Sequence, residues 1–255
     1  MSETYPTGDA GLMVLHANLT DIGKRRDHNE DATGFFPAPG DTGTYLLVVA
    51  DGVGGNNAGE VASELAVSTL PREFFSSGDP QDTPSALLRA MQVANDRIVD
   101  QGATDPLQAG MATTCTCAVI RGETAVIGHV GDCRAFLVFE GGLVRLTTDH
   151  SVADEYAAEG RELPPEQQHM GAMLSRWMGR PGPVGADISK VDDFRAGSTL
   201  VICSDGLTKV VSEDEILAAT SGHVPEVACE QLVGLANERG GPDNITVQIA
   251  HLTRN

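Results

Sequence analysis

The chain has 255 residues, 41% of them hydrophobic, which is enough apolar material for the core of one large domain or two small ones. Its formal net charge is −19, from 17 basic and 36 acidic side chains. That balance argues against binding to nucleic-acid phosphates, which requires clustered Lys and Arg, and equally against binding to an anionic membrane surface. We expect neither partner and interpret most of the acidity as surface solvation.

The five cysteines indicate a reducing compartment. No CxxC pair occurs, and four of the five lie in strand-like runs, which is typical of small buried hydrophobic side chains. The N-terminal segment MSETYPTGDAG has neither a basic n-region nor an apolar h-region, and the apolar runs are too short to span a membrane. We expect a cytoplasmic protein and, since no coiled coil is evident, a monomer.

The first half of the chain predicts strands followed by two helices. Residues 1–11 are expected to form a flexible lead-in, residues 12–20 have β character, and the continuous apolar run at 44–52 predicts a central strand. Asn57 is typical of a helix start, and Pro71 is expected to end that helix at about Leu70. A second helix is expected from Thr83. Its apolar face at helical spacing comprises Leu87, Met91, Ala94 and Ile98.

The second half returns to β structure. Short β-rich runs between residues 112 and 148 are separated by turn signals and predict an antiparallel meander. Residues 151–185 are polar, contain two adjacent prolines and are expected to form an inserted helical flap. A strand (198–206), two helices (212–220 and 225–240) and a final strand (244–252) follow. Because strands and helices are grouped and do not alternate, the order predicts an α+β fold.

Four aspartates each stand beside Gly or Asn at the end of an apolar run. They are Asp51 in VVADGVGG, Asp132 in IGHVGDCR, Asp205 in VICSDG and Asp243 in GPDNITVQI. A single DG pair is more often a turn, but the repetition favours convergence, and converging carboxylates require cations. Carboxylate oxygens, with the nearby Gly52 carbonyl, suit Mg²⁺ or Mn²⁺. The pattern therefore indicates metal-assisted hydrolysis, with a phosphate ester as the expected substrate.

Six segments occur in a fixed order: RRDHNEDATG, VVADGVGG, HVGDCRAFLV, LTTDHS, VICSDGLT and GGPDNITV. Together they resemble the signature segments of the metal-dependent protein phosphatases, the type 2C serine/threonine phosphatases, in their compact bacterial form. The resemblance spans roughly residues 12–252. It implies a central β-sandwich of two antiparallel sheets flanked by helix pairs on both faces, a four-layer α-β-β-α arrangement. We expect residues 1–255 to form one phosphatase domain with the flap as an insertion.

The resemblance also implies a ligand set. Asp51 would bridge two Mn²⁺ or Mg²⁺ ions, the Gly52 carbonyl would bind the second ion, and Asp205 and Asp243 would complete the first. Asp132 would join Asp205 at a weaker third ion. These assignments follow from the positions that match the family's motifs.

Three further residues match the family's motifs around the metals. Glu30 and Asp31 correspond to the acidic pair that holds metal-bound waters. Arg26 corresponds to the arginine that grips the substrate phosphate, a task that suits its planar, bidentate guanidinium. The implied reaction is hydrolysis of phosphoserine and phosphothreonine in proteins by a metal-bridging hydroxide, which would reverse a cognate bacterial kinase.

The chain departs from the family pattern at some positions. Val53 stands where many members carry a histidine general acid, so we expect the proton to come from a metal-bound water or from another histidine. His28 and His150 are candidates, whereas His129 lies in an apolar run and is expected to be a core histidine. Cys133 replaces a serine and is expected to be buried and inert.

Two other functions remain as alternatives. The first is a regulatory module that keeps the fold and binds a phosphoprotein or partner with little catalysis. The second is a metal-dependent nuclease or small-molecule phosphatase, of which the acidic charge disfavours the nuclease. Because all four aspartates and Arg26 are present, we favour the active protein phosphatase.

Overall fold

The structure, a computed structural model, describes residues 3–7, 11–40, 43–53, 58–76 and 82–254. Strands and helices are numbered separately in chain order. The strands are β1 (Glu3–Pro6), β2 (Leu12–Asp21), β3 (Asp31–Pro37), β4 (Thr44–Val53), β5 (Ala112–Thr113), β6 (Cys115–Arg121), β7 (Thr124–Val130), β8 (Arg134–Phe139), β9 (Gly142–Arg145), β10 (Asp187–Lys190), β11 (Thr199–Cys203) and β12 (Ile245–Arg254). The α-helices are α1 (Gly59–Ser76), α2 (Thr83–Thr104), α3 (Val152–Ala158), α4 (Asp205–Thr208), α5 (Glu213–Thr220) and α6 (Pro225–Glu238), with one 3₁₀ helix at Pro165–Met170.

The strands form two antiparallel sheets. One sheet has the order β1-β2-β12-β11-β8-β9, and the other has the order β10-β7-β6-β4-β3, with β5 paired to the end of β4. Helices α1 and α2 pack on the second sheet, whereas α5 and α6 lie on the first. The predicted four-layer arrangement is therefore confirmed, and so is the α+β class.

Three separate apolar cores hold the four layers together. The first lies between helices α1 and α2 and their sheet, the second between the two sheets, and the third between the other sheet and helices α5 and α6. Strand β4 contributes to two of them, because alternate side chains point to opposite faces. Leu46 and Val48 face the helices, whereas Leu47 and Val49 face the other sheet. A strand buried on both faces explains the continuous apolar run in the sequence.

Two boundary predictions are wrong. Residues 1–11 were expected to form a flexible lead-in, but Glu3–Pro6 pairs with β2 as an edge strand, and the Tyr45 hydroxyl donates a hydrogen bond to the Pro6 carbonyl. Helix α1 also continues through Pro71 to Ser76. An internal proline costs about 3 kcal/mol in a helix. Leu70 and Phe74 are fully buried on either side of it, so apolar packing outweighs the loss. The helix start expected at Asn57 lies outside the described residues.

The expected flap is only partly helical. It contains helix α3 and the 3₁₀ helix, and residues 171–185 form no further helix within the described chain. Met178 anchors its second half, because the side chain is fully buried in the first core and the backbone exchanges hydrogen bonds with Thr113 of β5. The flap therefore joins the body beside the end of β4.

None of the helices in the described part of the chain combines the length and the apolar character needed to cross a bilayer.

Close packing between β7 and α2 gives a stability prediction. A Cβ at Gly128 would lie 2.7 Å from the Met91 Sδ atom and 3.0 Å from the Cys117 Sγ atom. We expect Gly128→Ala to lower the free energy of unfolding by about 1–3 kcal/mol, because overpacking forces neighbouring side chains to shift. Urea denaturation midpoints measure the change. The control is Gly234→Ala in α6, where a Cβ meets no described atom within 4 Å and the substitution should stabilise by up to about 1 kcal/mol. Equal midpoints for the two variants would contradict the packing argument.

Candidate metal centre

Five aspartates lie at the same end of the sandwich. In the second sheet, Asp31 at the start of β3 stands directly opposite Asp51 near the end of β4. In the first sheet, β11 runs antiparallel to both β8 and β12, so the end of β11 lies beside the starts of the other two strands. Asp205 follows β11, and Asp132 and Asp243 precede β8 and β12. Antiparallel pairing thus gathers carboxylates that lie far apart in sequence.

The backbone of Asp51 is fixed from both sides. Its N–H donates to the Thr114 hydroxyl oxygen at 3.0 Å, and its carbonyl accepts hydrogen bonds from the Thr113 hydroxyl and the Thr114 N–H, both at 2.9 Å. Thr113 and Thr114 are fully buried. These contacts leave the Asp51 carboxylate as the part of the residue that is free to serve a ligand.

Gly52 occupies a position where no larger residue fits. A Cβ on Gly52 would lie 2.4 Å from the Gly59 carbonyl oxygen and 2.7 Å from the Glu30 carbonyl oxygen. The Gly52 N–H donates to that Glu30 carbonyl at 3.1 Å. The close approach of three backbone segments accounts for the glycine next to Asp51.

Asp31 is buried and lies between hydroxyl donors. Its Oδ2 atom accepts hydrogen bonds from Ser204 at 2.8 Å and from Thr246 at 2.6 Å. Within the described residues, the buried Asp31 Oδ1 atom has no hydrogen-bond partner, and the same holds for Asp205 Oδ1. Unpartnered buried carboxylate oxygens are costly. Both atoms are therefore available to a cation.

Burial and mutual repulsion raise the pKa values of three of these groups. Burial raises the pKa of Asp51 well above 3.8, and Asp31 and Asp205 raise it further. Burial likewise raises the pKa of Asp31 to about 6 and that of Asp132 to about 7, with the charge of Asp205 adding to each effect. In the metal-free protein these carboxylates resist ionisation, and a divalent cation would remove that cost.

Asp243 differs because two cationic side chains bind it. Arg26 contacts both of its oxygens, with Nε 2.8 Å from Oδ1 and a terminal nitrogen 2.9 Å from Oδ2. Lys209 Nζ lies 2.8 Å from the same Oδ2 and 2.7 Å from Asp205 Oδ2. Partial burial acts to raise the pKa of Asp243, but the contacts with Lys209 and Arg26 outweigh it and hold the pKa below 3.8.

Asn244 is a structural residue of the centre that the sequence reasoning missed. Its side-chain oxygen accepts the Glu30 N–H at 2.9 Å, and its amide nitrogen donates to the carbonyls of Ile22 and His28 at 2.9 and 3.1 Å. It thereby ties the loop that carries Arg26 and Glu30 to the start of β12. Asn244 is the last residue of the PDN motif, which was the available signal, but the motif was interpreted only through Asp243.

Glu30 belongs to a small cluster of possible metal ligands. One side-chain ligand atom from each of His28, Glu30 and Glu60 lies within 4.8 Å of the others. His28 Nε2 is 3.3 Å from a Glu30 oxygen, and the His28 side chain is exposed. Because the Glu30 carbonyl also contacts Gly52, this cluster adjoins the Gly52 side of the centre.

His129 and His150, the other two histidines named from the sequence, have different hydrogen-bond partners. His129 is buried and lies between the Thr116 hydroxyl and the Thr148 carbonyl, which confirms it as a core histidine. His150 is also buried. Its Nδ1 accepts the Gly131 N–H, and its Nε2 lies 3.1 Å from Asp187. Since both ring nitrogens are engaged, His150 supports the loop before Asp132 and is a poor candidate for the proton donor.

The donor set fits hard divalent cations. Its members are carboxylate and carbonyl oxygens, and hard cations such as Mg²⁺ and Mn²⁺ prefer such ligands. Cys133 and Cys203 are buried near the aspartates, and burial raises the pKa of both thiols, so neither offers a thiolate. The unpartnered oxygens of Asp31 and Asp205 provide independent support, because each needs a positive partner.

Comparisons with known proteins agree with this geometry. The family described as Protein phosphatase 2C matches residues 23–236. The serine/threonine phosphatase stp of Listeria monocytogenes is 34% identical over 241 residues, which cover 91% of this chain and 94% of that protein. The serine/threonine protein phosphatase PstP of Mycobacterium tuberculosis is 35% identical over 243 residues, which cover 94% of this chain but only 45% of PstP.

A solved structure extends the likeness to three dimensions. The catalytic domain of PstP in complex with two manganese ions superposes with a TM-score of 0.79 at 32% identity, covering 95% of this chain and 99% of that chain. The chain therefore belongs to the protein phosphatase 2C family, as its six ordered segments predicted.

The raised carboxylate pKa values predict an unusual pH dependence for the metal-free protein. A group whose pKa is raised by folding takes up its proton at a higher pH in the folded state than in the unfolded state. Its protonation therefore stabilises the folded state, and this stabilisation is lost as pH rises through the folded pKa. Asp51 and Asp132 should therefore make the chain more stable at a pH of about 6.5 than at about 8.5. At lower pH, His129 has the opposite effect on stability. Burial lowers its pKa to about 4, so between that pH and its ordinary pKa of 6.5 it takes up a proton on unfolding, and stability rises with pH.

Urea denaturation in EDTA across this range tests the prediction. Asp132→Asn should flatten the slope, and saturating Mn²⁺ should remove it, since metal ligands bind in the deprotonated form. A metal-free protein that becomes steadily more stable from a pH of about 6.5 to 8.5 would show that the carboxylates are not coupled as described.

Proposed function

We propose that this chain is a metal-dependent protein phosphatase that hydrolyses phosphoserine and phosphothreonine in proteins. The observation that carries the proposal is the convergence of five aspartates, two of them with unpartnered buried oxygens, at one end of the sandwich. Family membership and the named activity of stp and PstP support it. We further propose that residues 1–255 act as a single phosphatase domain.

The ligand assignment is part of this proposal. Asp51 and the Gly52 carbonyl would hold one ion, with Asp51 shared by a second ion that Asp205 and Asp243 complete. Asp31 and Glu30 would order water around the ions. The manganese complex of the PstP catalytic domain supports Mn²⁺ as a cofactor, and the oxygen ligands accept Mg²⁺ as well.

The residues of the chain supply the other requirements of the reaction. When bound, the ions offset the carboxylate charge and lower the pKa of coordinated water towards neutrality. Arg26 is 47% exposed at the edge of the centre, where it pairs with Asp243. From this exposed edge the guanidinium can also turn towards the oxygens of a phosphate held at the centre. Arg26 would then hold the substrate and offset charge that develops on phosphorus.

Residue 53 cannot protonate the leaving oxygen, because the Val53 side chain carries no titratable group. Val53 is 40% exposed, so solvent reaches this side of the centre. Since the ring of His150 is occupied, we propose that water or His28 supplies the proton.

The state of the cysteines bears on the cellular setting. All five cysteines are free and buried, which supports action in the reducing cytoplasm. The substrate class implies a serine/threonine kinase as the opposing enzyme in a signalling pair. That the chain is a monomer stays a prediction, which the molar mass from light scattering of the purified chain would test.

Phosphate release from a phosphothreonine peptide tests the proposed activity. We expect release that requires Mn²⁺ or Mg²⁺, and we expect Asp205→Asn to reduce it by at least about 10²-fold, because a ligand charge at the reacting centre is lost. Asp100→Asn, an equal change on the exposed face of α2, should keep full activity. Circular dichroism would check that both variants stay folded. If the wild-type chain released no phosphate while binding metal, the regulatory-module alternative would be favoured.

The role of Arg26 gives a separate prediction. Arg26→Lys should raise KM for the phosphopeptide by about tenfold, or about 1.4 kcal/mol, because an ammonium cannot make two parallel hydrogen bonds to a phosphate. The neighbouring Arg25→Lys is the matched control and should leave KM unchanged. Steady-state kinetics at saturating Mn²⁺ measure both. An unchanged KM for Arg26→Lys would remove this arginine from the substrate site.

A further inference from the structure

Lys209 introduces a fixed positive charge into the metal centre. Its Nζ lies 2.7 Å from Asp205 Oδ2 and 2.8 Å from Asp243 Oδ2, so one ammonium joins the carboxylates that follow β11 and precede β12. The sequence reasoning passed over this residue, because a lysine four positions after an aspartate is a common pattern on helix surfaces.

Local backbone structure holds Lys209 in this place. It follows directly after helix α4, and its N–H donates a hydrogen bond to the Asp205 carbonyl at 2.8 Å. The side chain is 45% exposed, whereas Asp205 and Asp243 are only 21% and 16% exposed. A lysine side chain is an ammonium at neutral pH, and its two carboxylate partners favour that charged form.

The location coincides with that expected for a third metal ion. Such an ion would be shared by Asp132 and Asp205, so it would require an oxygen of Asp205. The Oδ1 atom of Asp205 is buried and has no partner among the described residues, and it is the oxygen available to the first ion. The remaining oxygen, Oδ2, is bound to Lys209. The positive charge of Lys209 also acts on Asp132.

We propose that Lys209 takes the place of the third metal ion in this chain. The centre would then bind two divalent ions, and the ammonium of Lys209 would supply the additional positive charge beside Asp132 and Asp205. This inference rests on the proposed function only for the identity of the first two ions. An ordinary surface ion pair would leave metal stoichiometry unchanged, because it would not compete for a ligand oxygen.

Counting bound Mn²⁺ without substrate tests the inference independently of activity. The 255-residue chain and its variants are dialysed to equilibrium against increasing Mn²⁺, and metal per chain is measured by mass spectrometry. The wild type should bind two ions, and Lys209→Gln should bind a third. Lys190→Gln, the same loss of charge on the exposed edge strand β10, should bind two. This control accounts for adventitious binding to an acidic protein.

Two more variants locate the added ion. Lys209→Arg keeps the positive charge and should bind two ions, which also covers the case in which Lys209→Gln folds poorly. The double variant Lys209→Gln with Asp132→Asn should return from three ions to two, because one carboxylate of the new site is removed.

Thermal unfolding provides a second readout that needs no stoichiometry. In EDTA, Lys209→Gln should melt at a lower temperature than Lys190→Gln, and Mn²⁺ should raise its melting temperature by more. The inference would be overturned if the wild type bound three ions. It would also be overturned if Lys209→Gln bound two ions and Mn²⁺ raised its melting temperature no more than that of Lys190→Gln. Because none of these measurements involves phosphate release, a failure of the proposed activity would be seen separately.

Discussion

Repulsion among carboxylates is the constraint on which the centre of this protein depends. Asp31 and Asp51 face each other across two paired strands, and Asp132, Asp205 and Asp243 approach from the other sheet. Such a group is unfavourable in a protein interior unless cations or hydrogen-bond donors compensate for it. Burial first, and then the charges of neighbouring aspartates, raise the pKa values of Asp51 and Asp132. The rest of the architecture can be understood as the scaffold that holds these groups together in spite of it.

The hydrogen-bond donors and cations that offset this repulsion are not shared equally among the aspartates, and their positions indicate different roles for them. Asp31 receives hydroxyl donors from Ser204 and Thr246, whereas Asp243 receives two cationic side chains. Asp51 is supported through its backbone, so its carboxylate is left for a ligand. A centre that is partly neutralised by its own protein can remain folded before metal binds. It also keeps carboxylate oxygens without a partner among the described residues, at Asp31 and Asp205, for a metal to bind.

The sequence predicted much of the fold because its signals were strong and local. The apolar run of β4 identified a strand buried on both faces, and the order of strands and helices identified the α+β class. The errors arose where long-range packing overrode a local rule. Pro71 would end an isolated helix, but Leu70 and Phe74 are buried around it, and β1 forms only because β2 offers it an edge.

The sequence by itself determined the chemical type of the centre, because aspartates beside glycines at strand ends specify oxygen ligands whatever their exact positions. It also determined the family, because six short segments in fixed order are specific together. Only the tertiary structure decided which charges meet. Lys209, Arg26 and Asn244 act on residues as distant as 222 positions along the chain, and no local pattern encodes such contacts. They exist because antiparallel pairing brings β3, β8, β11 and β12 to one end of the sandwich, and that pairing is set by the packing of three cores.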